Sequence, residues 1–283
     1  MARLVSIIGT THNPFMPRLF AQPTRPPVCA LVEERLAMLR ERLERAAPDV
    51  VLAIGNDHLN QFFMDNMPAF LIGKMERYAG TFYNEEREFG LPRCELKGDA
   101  ALARGLLEGA LDHGVDVAYS DELRIDHSIV VPLLWLRPAL DLPIVPLLTN
   151  CIAPPLPRPR RFYQVGQLLR AVLDQLPGDQ RVAAVVSGHL SLEIGGPRQM
   201  EPRLVDPAFD RRAVGWLARG DLDEACANSG FDQLKRSGNM THGFLNFLLA
   251  AGLANGQPAA HAEGMEVGFP AVPMFAWEPE GAA

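Results

Sequence analysis

Three histidines stand in the same position relative to three apolar runs. His12 follows Leu4–Ile8 in GTTHNPF, His58 follows Val50–Ile54 in GNDHLNQFF, and His189 follows Val182–Val186 in SGHLS. Each lies three to four residues past its run, after Gly9, Gly55 or Gly188. Neutral imidazole is a common ligand for transition metals and titrates near neutral pH, so a cluster of such rings suits both ion binding and proton transfer. One histidine past one strand is most simply a packed or capping residue. The same placement three times over points to a shared site. His127 lies in RIDHSIVVPLLWL directly after Asp126, a carboxylate placed to fix a tautomer or raise the imidazole pKa if the two touch. His113, at a polar helix end, and His261, in the small-residue stretch PAAHAEG, read as solvated surface positions.

For the three histidines to meet, their runs must be neighbouring strands. Leu4–Ile8, Val50–Ile54, Val115–Tyr119, Ile144–Leu148 and Val182–Val186 are short, rich in branched residues and bounded by polar residues, Gly or Pro, as buried strands are. Between them, helical periodicity covers Leu31–Ala46, Ala100–Asp112, Arg161–Leu176, Pro207–Ala218, Leu222–Asn228 and His242–Leu253, the last with Thr241 as its expected N-cap. This alternation predicts an α/β fold: one domain over 1–283, with a mostly parallel or mixed central sheet flanked by helices. In such a sheet ligands bind beyond the carboxyl ends of the strands, where the three histidines fall. The Pro-rich stretch Ala153–Arg161 reads as a rigid connection crossing that domain.

Composition narrows the function. The chain has 283 residues, 48% of them hydrophobic, with 34 acidic and 27 basic side chains and a formal charge of -7. That balance, with scattered Lys and Arg, argues against disorder and against nucleic acid or an anionic membrane as partner. No apolar run approaches the ~20 residues of a membrane span, and no secretory leader is evident, which predicts a cytoplasmic protein. Cys29, Cys94, Cys151 and Cys226 lack zinc-site spacing and read as buried thiols.

Several segments resemble, in order, the class III (LigB-type) extradiol ring-cleavage dioxygenases. They are TTHNP, NDHLNQFFMDNMPAFLIG at 56–73, DHSIVVPL at 126–133, GHLSLEIGGPR at 188–198, DPAFDRR at 206–212 and NMTHGFLNF at 239–247. The resemblance implies an Fe(II) enzyme, with Mn(II) as the alternative ion, that uses dioxygen to cleave a small catecholic or hydroxylated aromatic substrate. It implies that His12 and His58 bind the metal and that His189 and His127 handle protons and contact substrate. The family's third ligand is a Glu near the start of the last helix, in a pattern close to His-Glu-x-x-Asn-Trp. Here the pattern reads His242-Gly243-Phe244-Leu245-Asn246-Phe247, so Gly243 stands where the carboxylate is expected.

His242, one residue away, is a candidate replacement ligand or else a helix-start residue satisfied by solvent, since adjacent helical side chains point about 100° apart and the backbone or the register would have to shift for it to reach the ion. Water, a substrate group or loss of the metal are the alternatives. Arg198 in the GGPR loop is a candidate partner for a substrate carboxylate, or else a surface arginine. The missing carboxylate leaves two further readings open: a metal-poor, non-catalytic partner subunit of a dioxygenase, and a redox-neutral lyase or hydrolase in the same pocket. The family is commonly oligomeric, which implies a homo-oligomer or a homologous partner subunit.

Overall fold

Runs of Val, Ile, Leu and Ala without polar alternation must be covered on both faces, as in a parallel sheet under two helical layers. In the computed structural model, which describes residues 1–196, 205–266 and 270–279, the central strands are of this kind. β1 (Arg3–Thr10), β2 (Val50–Gly55), β7 (Ile144–Thr149) and β8 (Arg181–Ser187) lie parallel in the order β7-β2-β8-β1. Outside β7 come β3 (Phe70–Gly73), antiparallel to it, and β6 (Ala118–Ser120), parallel to β3. Outside β1 come β10 (Val272–Trp277), antiparallel to it, and β9 (His261–Met265), antiparallel to β10, which completes eight strands among the described residues. β4 (Arg77–Gly80) and β5 (Cys94–Lys97) form a separate antiparallel pair.

The helices are α1 (Met16–Phe20), α2 (Val28–Arg45), α3 (Tyr83–Phe89), α4 (Ala100–Asp112), α5 (His127–Leu136), α6 (Pro159–Leu173), α7 (Pro207–Arg219), α8 (Leu222–Ala227), α9 (Phe231–Arg236) and α10 (Leu245–Leu253). Successive strand residues point to opposite sheet faces. Val50, Leu52 and Ile54 accordingly join the layer of α4, α6 and α10, while Val51 and Ala53 join that of α2 and α5. All nine residues of α10 are buried, because the helix is wedged between the sheet and α6. Glycines set that approach: a Cβ on Gly166 would stand 2.1 Å from the Leu249 carbonyl oxygen. Each fully buried Leu or Phe on α10 contributes about 1.5–3 kcal/mol by leaving water.

The sheet draws strands from both sides of 153–161, and Pro159 serves as the first residue of α6, where its missing N–H costs nothing. The strand expected at Val115–Tyr119 is reduced to Ala118–Ser120 at the sheet edge. Thr241 does not cap a helix. It opens a 3₁₀ turn, Thr241–Phe244, and its hydroxyl donates to Ser237 O and accepts from Leu192 N. His261, expected in a solvated tail, is half-buried in β9, where burial lowers its pKa. Cys29 and Cys151 are buried, while Cys94 and Cys226 are half-buried. Among the described residues no helix is long and apolar enough to cross a membrane.

Candidate functional site

Because β2, β8 and β1 are parallel neighbours, the loops leaving their carboxyl ends emerge together. His12, His58 and His189 therefore converge, and His127, the first residue of α5, joins them. Ring centroids lie 4.0 Å apart for His12 and His189, 5.0 Å for His12 and His58, 4.1 Å for His58 and His127, and 5.5 Å for His12 and His127.

Each ring is held from behind. His12 Nδ1 hydrogen bonds with Ser187 Oγ at 2.9 Å. His58 donates twice to Asp126 Oδ2, from its backbone N–H and from Nδ1, each at 2.9 Å. Asp126 Oδ1 accepts from Ser128 N at 2.8 Å and so caps α5. His127 donates to Glu85 Oε1 from its backbone N–H at 2.9 Å and from Nδ1 at 2.5 Å. The other oxygen of Glu85 accepts from Phe82 N at the start of α3. Asp126 thus orients His58 rather than its sequence neighbour His127, which Glu85 orients instead.

With every Nδ1 engaged, Nε2 is the free donor on each of these three rings. Ring nitrogens of His12, His58 and His127 fall within 4.8 Å of one another. His12 Nε2 is buried without a hydrogen-bond partner. An orphaned buried imidazole nitrogen facing two others is what a metal-binding cradle requires, so these residues fit a divalent transition ion.

Burial, followed by the neighbouring His189, His58 and His127, holds the His12 pKa well below its usual value. Burial, then His58 and His127, lowers His189 to about 3. Both rings are neutral at pH 7. Burial also acts against a charged His58, but Asp126, supported by Glu85 and Asp57, outweighs it and the pKa is raised. Burial opposes ionisation of Asp126 too, yet His58 and His127 hold it below the usual carboxylate range.

The 3₁₀ turn Thr241–Phe244 brings Gly243 up to the histidines. A Cβ on Gly243 would stand 3.1 Å from His189 N and 3.3 Å from His189 Cδ2, and Gly243 lines a small cleft with His12, His58 and His189. Position 243 therefore faces the imidazoles and offers no side-chain ligand. His242 does not take over. Its ring stacks on Phe231 with centroids 4.7 Å apart, and Nε2 bonds to Phe231 O at 3.0 Å, because the turn points it toward α9. Arg198 lies outside the described residues, and His113 is an exposed helix end as expected.

Asn246 was not singled out from the sequence, yet it binds three strand ends together. Its Nδ2 donates to Asn56 Oδ1 and Ser187 O, and its Oδ1 accepts from Thr149 Oγ1 at 2.6 Å. The signal was one polar residue within the apolar LNFLLAAGL. Glu85, within YNEEREF, gave no such signal.

Above the histidines opens a pocket of about 340 Å³, with His58, His127, His189 and Glu85 at its base and Phe15, Phe89, Leu192, Ile194 and Met240 among its apolar walls. That size and lining suit a small aromatic ligand.

Residues 6–278 match the family described as the catalytic LigB subunit of aromatic ring-opening dioxygenase. Two proteins named 2,3-dihydroxyphenylpropionate/2,3-dihydroxicinnamic acid 1,2-dioxygenase are similar. The one from Photorhabdus laumondii is 31% identical over 188 residues, 66% of this chain and 56% of that protein. The one from Burkholderia vietnamiensis is 29% identical over 268 residues, 80% of this chain and 82% of that protein. The first alignment thus spans little more than half of its relative. A crystal structure of an uncharacterized Escherichia coli protein superposes with a TM-score of 0.57 at 16% identity, covering 96% of this chain and 99% of that one, a likeness of fold.

Proposed function

The chain belongs to the LigB family of aromatic ring-opening dioxygenase catalytic subunits, and from that premise we propose that it performs extradiol-type cleavage of a small catecholic or hydroxylated aromatic compound, using Fe(II), with Mn(II) as the alternative ion. The observation that carries this reading is the convergence of four imidazoles, at least one with an unpartnered buried nitrogen, at the base of an apolar pocket. His12 and His58 would hold the ion. When bound, the ion supplies a Lewis-acidic centre that brings ring oxygens and dioxygen together.

The protein's own residues do the rest. His189, neutral because it is buried, lines the pocket beside His12, where it would take a proton from a ring hydroxyl made more acidic by the bound ion and return it later. Phe15, Phe89 and Met240 orient the ring and keep water out. His127, beside His58, is within reach of the same ligand. Anaerobic reconstitution with Fe(II), followed by oxygen uptake across a panel of catechols, tests the proposal. Stoichiometric uptake on at least one catechol is expected; full iron loading with no uptake on any would overturn it.

Gly243 favours a second reading, a partner subunit without a metal of its own. That reading requires no stoichiometric iron or manganese after supplementation and stable association with a homologous active chain. A metal-loaded protein active by itself removes it.

A further inference from the structure

We propose that His127 is the third protein ligand of this site, so that a divalent ion is held by three neutral imidazoles, His12, His58 and His127, with Asp126 and Glu85 behind them carrying the negative charge that Gly243 does not provide. The inference rests on the reading that the histidine site holds an ion, and it moves His127 from substrate contact to metal binding.

Four observations carry it. The ring nitrogens of His12, His58 and His127 share one 4.8 Å neighbourhood. On each ring Nδ1 is already bonded, to Ser187, Asp126 and Glu85 respectively, which leaves Nε2 for an ion. A carboxylate accepting from Nδ1–H fixes the tautomer and makes Nε2 a stronger donor, the arrangement found behind metal-bound histidines. Both Asp126 and Glu85 are buried, and each is tied to the backbone of a helix start, so neither is free to swing away. Finally, neither neighbour in the HGF turn supplies a side-chain ligand: position 243 has no side chain, and the His242 ring is committed to Phe231.

The balance of charge follows. A directly bound carboxylate would place one negative charge on the ion. Here two negative charges stand one imidazole away, and the ion meets only neutral nitrogen. Such a set suits ions that favour imidazole, with Fe(II), Co(II) and Zn(II) among them. It also leaves more of the ion's positive charge for an anionic oxygen ligand.

Co(II) is the probe: titration of the metal-free full-length protein, followed by visible absorption and metal content. Wild type is expected to bind one equivalent. His127→Ala should lose at least about 100-fold in affinity, and Glu85→Gln, which leaves the ring in place, about 10- to 100-fold. His242→Ala should match wild type in affinity and spectrum, and circular dichroism establishes that each variant is folded. If folded His127→Ala keeps wild-type affinity and spectrum, or His242→Ala loses them, the proposal is overturned; if Glu85→Gln binds as wild type does, the role given to the carboxylate is overturned. Oxygen uptake separates this from the dioxygenase reading. Co(II) binding that depends on His127, with no uptake by the iron-loaded protein on any catechol, removes only the dioxygenase. Undiminished uptake by His127→Ala removes only the third ligand. A wild type that binds no Co(II) overturns both.

Discussion

Asp210 offers a test of how the His189 loop is held. It lies in α7, only 5% exposed, and accepts from Ser191 N at 2.7 Å and Ser191 Oγ at 2.8 Å, two residues past His189. Burial, together with Asp206 and Glu266, outweighs those hydrogen bonds and pushes its pKa up to about 6 from 3.8. The folded protein therefore holds a proton that the unfolded chain has largely released. The stabilisation is full below about pH 4 and is lost as pH rises through about 6. At about 1.4 kcal/mol per tenfold change, the full loss is roughly 3 kcal/mol. Between pH 5 and pH 8, where the unfolded side chain is already ionised, it is about 1.4 kcal/mol. Asp210→Asn keeps an acceptor for Ser191 N and cannot ionise. Its stability relative to wild type should therefore rise by about 1.4 kcal/mol from pH 5 to pH 8. Urea denaturation at both pH values, with m unchanged, measures this directly. A difference that stays flat or shrinks as pH rises would refute the reasoning that an ionised Asp210 is costly in this fold.

Asn246→Ala leaves Thr149 Oγ1, Asn56 Oδ1 and Ser187 O each short of a buried partner; at about 1–3 kcal/mol apiece it should cost at least roughly 3 kcal/mol, read from the denaturation midpoint. In the metal-free protein His189, with its pKa lowered to about 3, is neutral when folded but takes up a proton near pH 6.5 when unfolded. Its contribution is thus present above about 6.5 and lost as pH falls toward 3, so His189→Gln should lose less stability than wild type between pH 7.5 and 5.5, measured in the presence of chelator. Gly243→Glu places a carboxylate among the imidazoles after His189 yields by a few tenths of an ångström, and should tighten Co(II) binding at least about tenfold in the same titration. An unchanged affinity would show that this position does not reach the ion.

The part of this site written in local pattern was readable from the chain alone. Apolar runs followed by Gly and His locate β1, β2 and β8 and the loops bearing His12, His58 and His189, because burial on both faces demands a particular composition and strand ends fall where it stops. Family likeness added His127 and the significance of Gly243. Other features carried no local signature. β3, β4, β5 and β9 are only four or five residues long, and their pairing rather than their composition makes them strands. Which carboxylate grips which imidazole was likewise unreadable: Asp126 adjoins His127 in sequence but turns to His58, and Glu85 reaches His127 from 42 positions away. Whether His242 serves as a ligand or as a plain helix-start residue was equally unreadable, and α9 decides it by placing Phe231 against its ring. Residue type and spacing state what a side chain is able to bond, but the direction it faces depends on the packing of distant segments, and only the assembled tertiary structure contains that information.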